Sequence, residues 1–365
     1  MFKLILFTMP IAVLLLIISE LPYRATQTTP APSQLMVYPT SPQPTPTLIQ
    51  PLPYKVLDNN NYHVYQTFNN CGPAALSMAF SYYGIFESQQ KLGQDLRPYQ
   101  NENGDNDDKS VTLSELAEKA AEYGFIPYHR PNGNIELMKQ FITNDIPVIT
   151  RTLTKEDEDI GHYRVVKGYD DTTHQLIQDD SLQGKNLQFT YEEFSTLWKQ
   201  FNYEYLVLVP KDKAQIAQQI LGENSDAKTA WRKAAQNAKQ ELEKNPDDTY
   251  ARFNLSVALF NSGEYQRSIE EFEKVENQLL FRTLWYQIEP IQAYYELQNY
   301  ERVFEMTDRI LNNYNRAFSE LYLIRGKIYL TQGNTIAAKE EFEKAVFYNR
   351  NLKSAQEALN SANTS

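Results

Sequence analysis

Cysteine occurs once in 365 residues, at Cys71, and histidine four times, while Lys and Arg number 35 against 46 Asp and Glu. Each shortage removes a class of chemistry. One thiol cannot close an internal disulfide, and neither it nor the histidines stand with Asp and Glu at metal-ligand spacing. No glycine-rich phosphate loop occurs, so neither a metal nor a nucleotide cofactor is expected. The formal charge of −11 and pI near 5.0 exclude a nucleic-acid partner, because binding phosphate needs a basic face to displace counterions. The polar stretch from Asn101 to Ser110 lacks the ligand register of an EF-hand and reads as a solvated loop.

The chain is longer than a typical single domain, so two folded units with accessory segments are expected. Its apolar run from Leu4 to Ser19, broken by Thr8 and Pro10, marks residues 1–25 as an export segment, either a retained anchor or a removed signal peptide. Both put the remainder outside the cytoplasm, membrane-anchored or secreted. In that setting a leftover cysteine points to intermolecular pairing or to a functional thiol. Residues 26–53 are mainly Thr, Pro, Gln and Ser, a composition that holds extended, stiff spacers.

Around Cys71 the sequence is QTFNNCGPAALSMAFSYYG, Gln66 to Gly84. Gly72 allows a tight turn, Pro73 suits a first helical turn, and Ala74 to Phe80 continue as an apolar helix that Gly84 can stop. The thiol then sits at the positive end of a helix, where thiolate is favoured over thiol. Downstream, Thr112 to Tyr123 reads as an amphipathic helix with a Thr112/Glu115 capping box, Ile135 to Thr143 as a short helix, and Ile146 to Thr150 as a buried strand.

A second cluster, Gly161 to Ser181, reads as a β-hairpin with strands at His162 to Tyr169 and Gln175 to Asp179, turning at residues 170–173. That fold brings His162 opposite or diagonal to Asp180, within cross-strand reach. An imidazole oriented by a carboxylate is the second half of a Cys-His-Asp arrangement, in which histidine takes the thiol proton and the acid fixes its tautomer. The other histidines lack that setting: His174 lies in the turn, His129 in a polar connection, and His63 in an Asn-rich stretch with no neighbour to orient it. Oxyanion donors are the Cys71 backbone N–H and the Gln66 side chain, with Asn69 and Asn70 as competitors.

These residues carry a resemblance. Gln66, the Cys-Gly-Pro-Ala run, GHYRVVKGYDD and the following Asp-Ser resemble papain-like cysteine peptidases of the double-glycine leader peptidase kind, in the freestanding family 39-like branch. The likeness extends to IPVITRTL, to Thr190 to Trp198 as a closing helix, and to Tyr205 to Val209 as a last strand. It implies an α+β papain-like domain over 54–213, with Cys71 as nucleophile, His162 as general base then acid, Asp180 as orienting carboxylate and Gln66 as oxyanion donor. Gln66 stands five positions before the cysteine where six are usual, and Asp179 competes with Asp180.

Past Lys213 a period of 35 residues relates Gly263-Glu264-Tyr265, Gln298-Asn299-Tyr300 and Gly333-Asn334-Thr335, close to the 34 of tetratricopeptide repeats. Phe272, Thr307 and Phe342 align in that register, as do Ser268, Val303 and Ala338. Residues 226–365 are therefore expected to form an all-α repeat domain, with a half-unit capping its start and Pro290 inside the first helix of a degenerate middle unit. Such arrays present a surface for a partner protein or pack on their neighbour. The expected protein is an exported thiol hydrolase acting on a peptide or protein substrate, with repeats for recruitment. An inactive papain-like scaffold and a cell-wall peptide amidase or transpeptidase are the alternatives.

Overall fold

The structure, a computed structural model, describes residues 47–104, 111–156, 158–313 and 315–364. The apolar N-terminal run, the spacer up to residue 46 and residues 105–110 of the acidic loop lie outside the described residues. Among the described residues antiparallel pairing joins seven strands: β1 (Tyr54–Val56), β2 (Ile126–Arg130), β3 (Val148–Leu153), β4 (Gly161–Asp170), β5 (Gln175–Asp180), β6 (Gly184–Thr190) and β7 (Tyr205–Val209). Their order is β2-β7-β3-β4-β5-β6, and β1 pairs with β4. Every residue of β3 and β7 is buried, which a sheet achieves only when helices cover both faces.

Those covers come from six helices, α1 (Cys71–Ser81), α2 (Gln89–Leu96), α3 (Leu113–Glu122), α4 (Ile135–Thr143), α5 (Tyr191–Lys199) and α6 (Ala214–Leu221). Leu76 and Phe80 of α1 and Leu116 of α3 pack with Val165, Leu206 and Leu208 of the sheet. Phe141 of α4 and Phe194 and Trp198 of α5 pack with Val148, Val166 and Val207. Local signals set the helix ends: Thr112 and Thr190 each form a full capping box. Gly84, at φ +72°, closes α1 while Ile85 N–H bonds back to Phe80 O. Two strands differ from the sequence reading. His129 lies in β2, an edge strand on β7 rather than a polar connection, and β6 extends the hairpin by a third strand.

The remainder is helical: α7 (Ala227–Lys244), α8 (Thr249–Ser262), α9 (Tyr265–Glu273), α10 (Thr283–Tyr286), α11 (Glu289–Glu296), α12 (Tyr300–Leu311), α13 (Ser319–Thr331), α14 (Thr335–Tyr348) and α15 (Lys353–Thr364). The 35-residue period has a backbone cause. Gly263, Gln298 and Gly333 all adopt positive φ between paired helices, at +86°, +59° and +76°. The aligned positions Phe272, Thr307 and Phe342, and Ser268, Val303 and Ala338, are all fully buried. Pro290 is not inside its helix as the sequence suggested: it stands in the first turn of α11, where a missing N–H goes unnoticed. The preceding residues break the repeat into the four-residue α10.

Candidate active site

Helix α1 begins at Cys71 itself. Its first ladder bond runs from Ala74 N–H to Asn70 O, so the N–H groups of Cys71 and Gly72 precede the ladder and face the thiol's end of the helix. Asn70 does not cap with its side chain but donates it to Thr67 Oγ1 at 2.8 Å. A Cβ on Gly72 would lie 2.1 Å from Val111 Cγ2 and 3.4 Å from the Tyr163 ring, so only glycine lets α1 start this close to the sheet. Gln89, buried in α2, holds the approach to the cysteine: its Oε1 accepts from Thr67 N–H at 2.9 Å and its Nε2 donates to Tyr65 O at 2.6 Å.

His162 is the second residue of β4, and the register sets Arg164, not His162, across from Asp180. His162 is thus the diagonal neighbour, and its Nε2 meets Asp180 Oδ1 at 2.8 Å. The thiol of Cys71 is a further hydrogen-bond partner of the ring, which leaves Nδ1 as the nitrogen for the sulfur side. Burial pushes the imidazole toward its neutral form, but the bonds to Asp180 and Cys71 outweigh it and raise the pKa from 6.5 to about 9. The ring is held as imidazolium near neutrality, the state that pairs with a thiolate.

Asp180 is completely buried and would be costly as an anion without partners. Leu182 N–H and Gln183 N–H donate to its Oδ1 at 2.7 and 2.8 Å, and Arg164 Nε lies 3.1 Å from its Oδ2. Burial raises its pKa, and the His162 bond, the His162 and Arg164 charges and the Gln183 N–H bring it below the usual carboxylate value. Arg164 in turn donates to Leu153 O at 2.8 Å and Thr154 O at 2.9 Å. Asp179 points away, as alternation along a strand requires, and binds Lys167 Nζ at 2.7 Å and Tyr82 OH at 3.2 Å.

Gln66 sits against the end of β5. Its N–H donates to Ser181 O at 2.8 Å, and Ser181 Oγ donates to its Oε1 at 2.9 Å, which leaves the amide Nε2 as its donor end. His63 has an orienting neighbour that sequence reading missed, because its Nε2 contacts Asp180 O at 3.0 Å. His129 bonds Glu204 at 2.5 Å, away from this cluster, and His174 occupies the hairpin turn at φ +53°. Arg164, Gln89 and Ser181 were also missed. Their roles come from partners distant in sequence, and the legible hint was an arginine set between Tyr163 and Val165 in a strand. Among the described residues no group of three or more His, Cys, Asp or Glu is placed to hold a metal ion.

Fold and site together define an α+β domain that carries a buried cysteine, histidine and aspartate in one row, joined to a helical repeat region. Residues 52–206 match the Peptidase C39 like family and residues 319–352 match the Tetratricopeptide repeat, so the chain carries a C39-like domain followed by a tetratricopeptide region. A solved chain described as a C39-like peptidase from Bacillus anthracis is 18% identical, with 43% of this chain and 98% of that chain covered and a TM-score of 0.36. A MamA RS-1 ArsTM double mutant is 18% identical over 37% of this chain and 75% of its own, with a TM-score of 0.33. No curated protein matches.

Proposed function

We propose that this protein is a thiol hydrolase that cleaves an amide bond in a peptide or protein substrate. The observation that carries the reading is the continuous contact from Cys71 through His162 to Asp180, with the ring's pKa raised to about 9. Cys71 Sγ, as thiolate, attacks the carbonyl carbon, and the oxyanion faces the Cys71 N–H and Gln66 Nε2. The His162 imidazolium then gives its proton to the leaving amine, and a thioester forms. Water, deprotonated by the now neutral ring, releases the acid and regenerates the thiol pair. Asp180 holds the ring through Nε2 and stays ionised because Arg164 and two N–H groups favour the anion.

Action outside the cytoplasm rests on the run from Leu4 to Ser19, and partner recruitment on the tetratricopeptide region.

The test starts with alkylation of Cys71 by iodoacetamide against pH, which is residue-specific because no other cysteine exists. An inflection well below the ~8.5 of a free thiol, lost in His162→Ala, supports the pair, and a peptide library should then be cleaved by the wild type and not by Cys71→Ser. A thiol that titrates normally with or without His162 removes this reading.

A further inference from the structure

The degenerate middle of the repeat region is where the helical part touches the histidine's strand. In the β3–β4 register Thr154 N–H bonds Ile160 O and Leu153 faces Gly161, which makes Gly161 a non-hydrogen-bonded pair whose N–H points away from β3. Pairing of β4 with β5 begins only at Arg164. The N–H of Gly161, next to His162, lies outside both ladders, and the hydroxyl-bearing end of the Tyr286 ring, at the end of α10, faces it. The Tyr286 ring covers Gly161 so closely that a Cβ there would lie 3.3 Å from it.

The same turn is fastened twice more. Arg282 N–H donates to Asp159 Oδ2 at 2.6 Å, and Arg151 Nη1 donates to Tyr286 O at 3.3 Å. The Arg151 guanidinium lies 4.9 Å from the Tyr286 ring, 5.1 Å from Phe201 and 5.5 Å from Tyr163, and Gly72 packs against Tyr163 as well as Val111. A continuous stack thus runs from α10 to both strand and helix starts that bear the reacting pair. An ordinary repeat helix would have no reason to break here; a four-residue turn aimed at Gly161 gives one.

We infer that Tyr286 is a positioning residue for the Cys71–His162 pair, so that the helical region is part of the reactive unit and not only a recruitment module. The inference rests on the proposed roles of Cys71 and His162. It is tested on the full chain by the pH profile of Cys71 alkylation in Tyr286→Phe, which removes the hydroxyl and keeps the ring. The expected result is a rate about three- to tenfold lower between pH 6 and 7.5, the worth of one net hydrogen bond, with the wild-type rate regained near pH 10. Gln287→Ala, which loosens the same interface at Gln200 O without touching Gly161, should keep the wild-type profile. If Tyr286→Phe does not fold, Asp159→Ala removes the acceptor of the Arg282 N–H and should shift the profile the same way. A Tyr286→Phe profile superimposed on the wild type, with His162→Ala still different, overturns the inference alone. A wild-type profile that already matches His162→Ala overturns instead the function beneath it.

Discussion

Asp180 joins two tasks in one carboxylate: Oδ1 orients His162, and Oδ2 neutralises a fully buried arginine. Asp180→Ala should therefore cost about 3–5 kcal/mol of folding stability, because it strands Arg164 without a counter-charge; urea unfolding measures it. Asp180→Asn keeps an oxygen for the ring and should cost less. The pair also fixes a pH dependence. His162 titrates higher folded than unfolded, so its contribution is complete below pH 6.5 and disappears as pH rises through about 9. Asp180 titrates lower folded, so its contribution is present above the ordinary carboxylate value and disappears on acidification. Tm against pH should fall on both sides, and His162→Ala should flatten the alkaline fall alone. Sequence spacing made His162 and Asp180 legible as partners, and left Asp179 in competition until the register set the two acids on opposite sides.

At the scale of the element, α1 was legible because its start, apolar run and stop all use local rules. What locality could not show is why Gly72 must be glycine: the obstacle is Val111 Cγ2, 39 positions away in the chain. Gly72→Ala should destabilise the protein by about 1–3 kcal/mol through overpacking and slow Cys71 alkylation, and Val111→Ala should restore part of both. The repeat turns offer an opposite case. Gln298 holds the left-handed conformation that glycine holds in the other two turns, so Gln298→Gly should raise stability by up to about 1 kcal/mol, read as a higher Tm. Strand β2 escaped the sequence reading because Ile126-Pro127-Tyr128-His129-Arg130 carries no clean alternation, and its pairing with β7 decides its form.

On the scale of the whole molecule, the two regions share buried bonds at both ends of their contact. Asn202 donates twice to Asn254, from its N–H to Oδ1 at 3.3 Å and from its Nδ2 to the carbonyl O at 3.1 Å. Arg97, nearly fully buried, reaches Glu115 of α3 at 2.6 Å and Glu320 of α13 at 3.0 Å. Calorimetry of the wild type should accordingly show one transition for both regions. Arg97→Ala leaves two partly exposed carboxylates facing each other and should lower stability by about 1–3 kcal/mol, with the helical region separating as a distinct transition.

The sequence by itself determined the α+β and repeat classes, the start of the cysteine's helix, the hairpin that bears His162 and Asp180, and the 35-residue spacing of the turns. These follow from caps, turn residues and periodicity, which act over a few positions and need no distant partner. Only the tertiary structure decided which aspartate meets the ring, which arginine lies behind it, and that Tyr286 rests on Gly161. Those depend on strand register and on contacts between residues more than a hundred positions apart, where desolvation and close packing, not local propensity, select the neighbour.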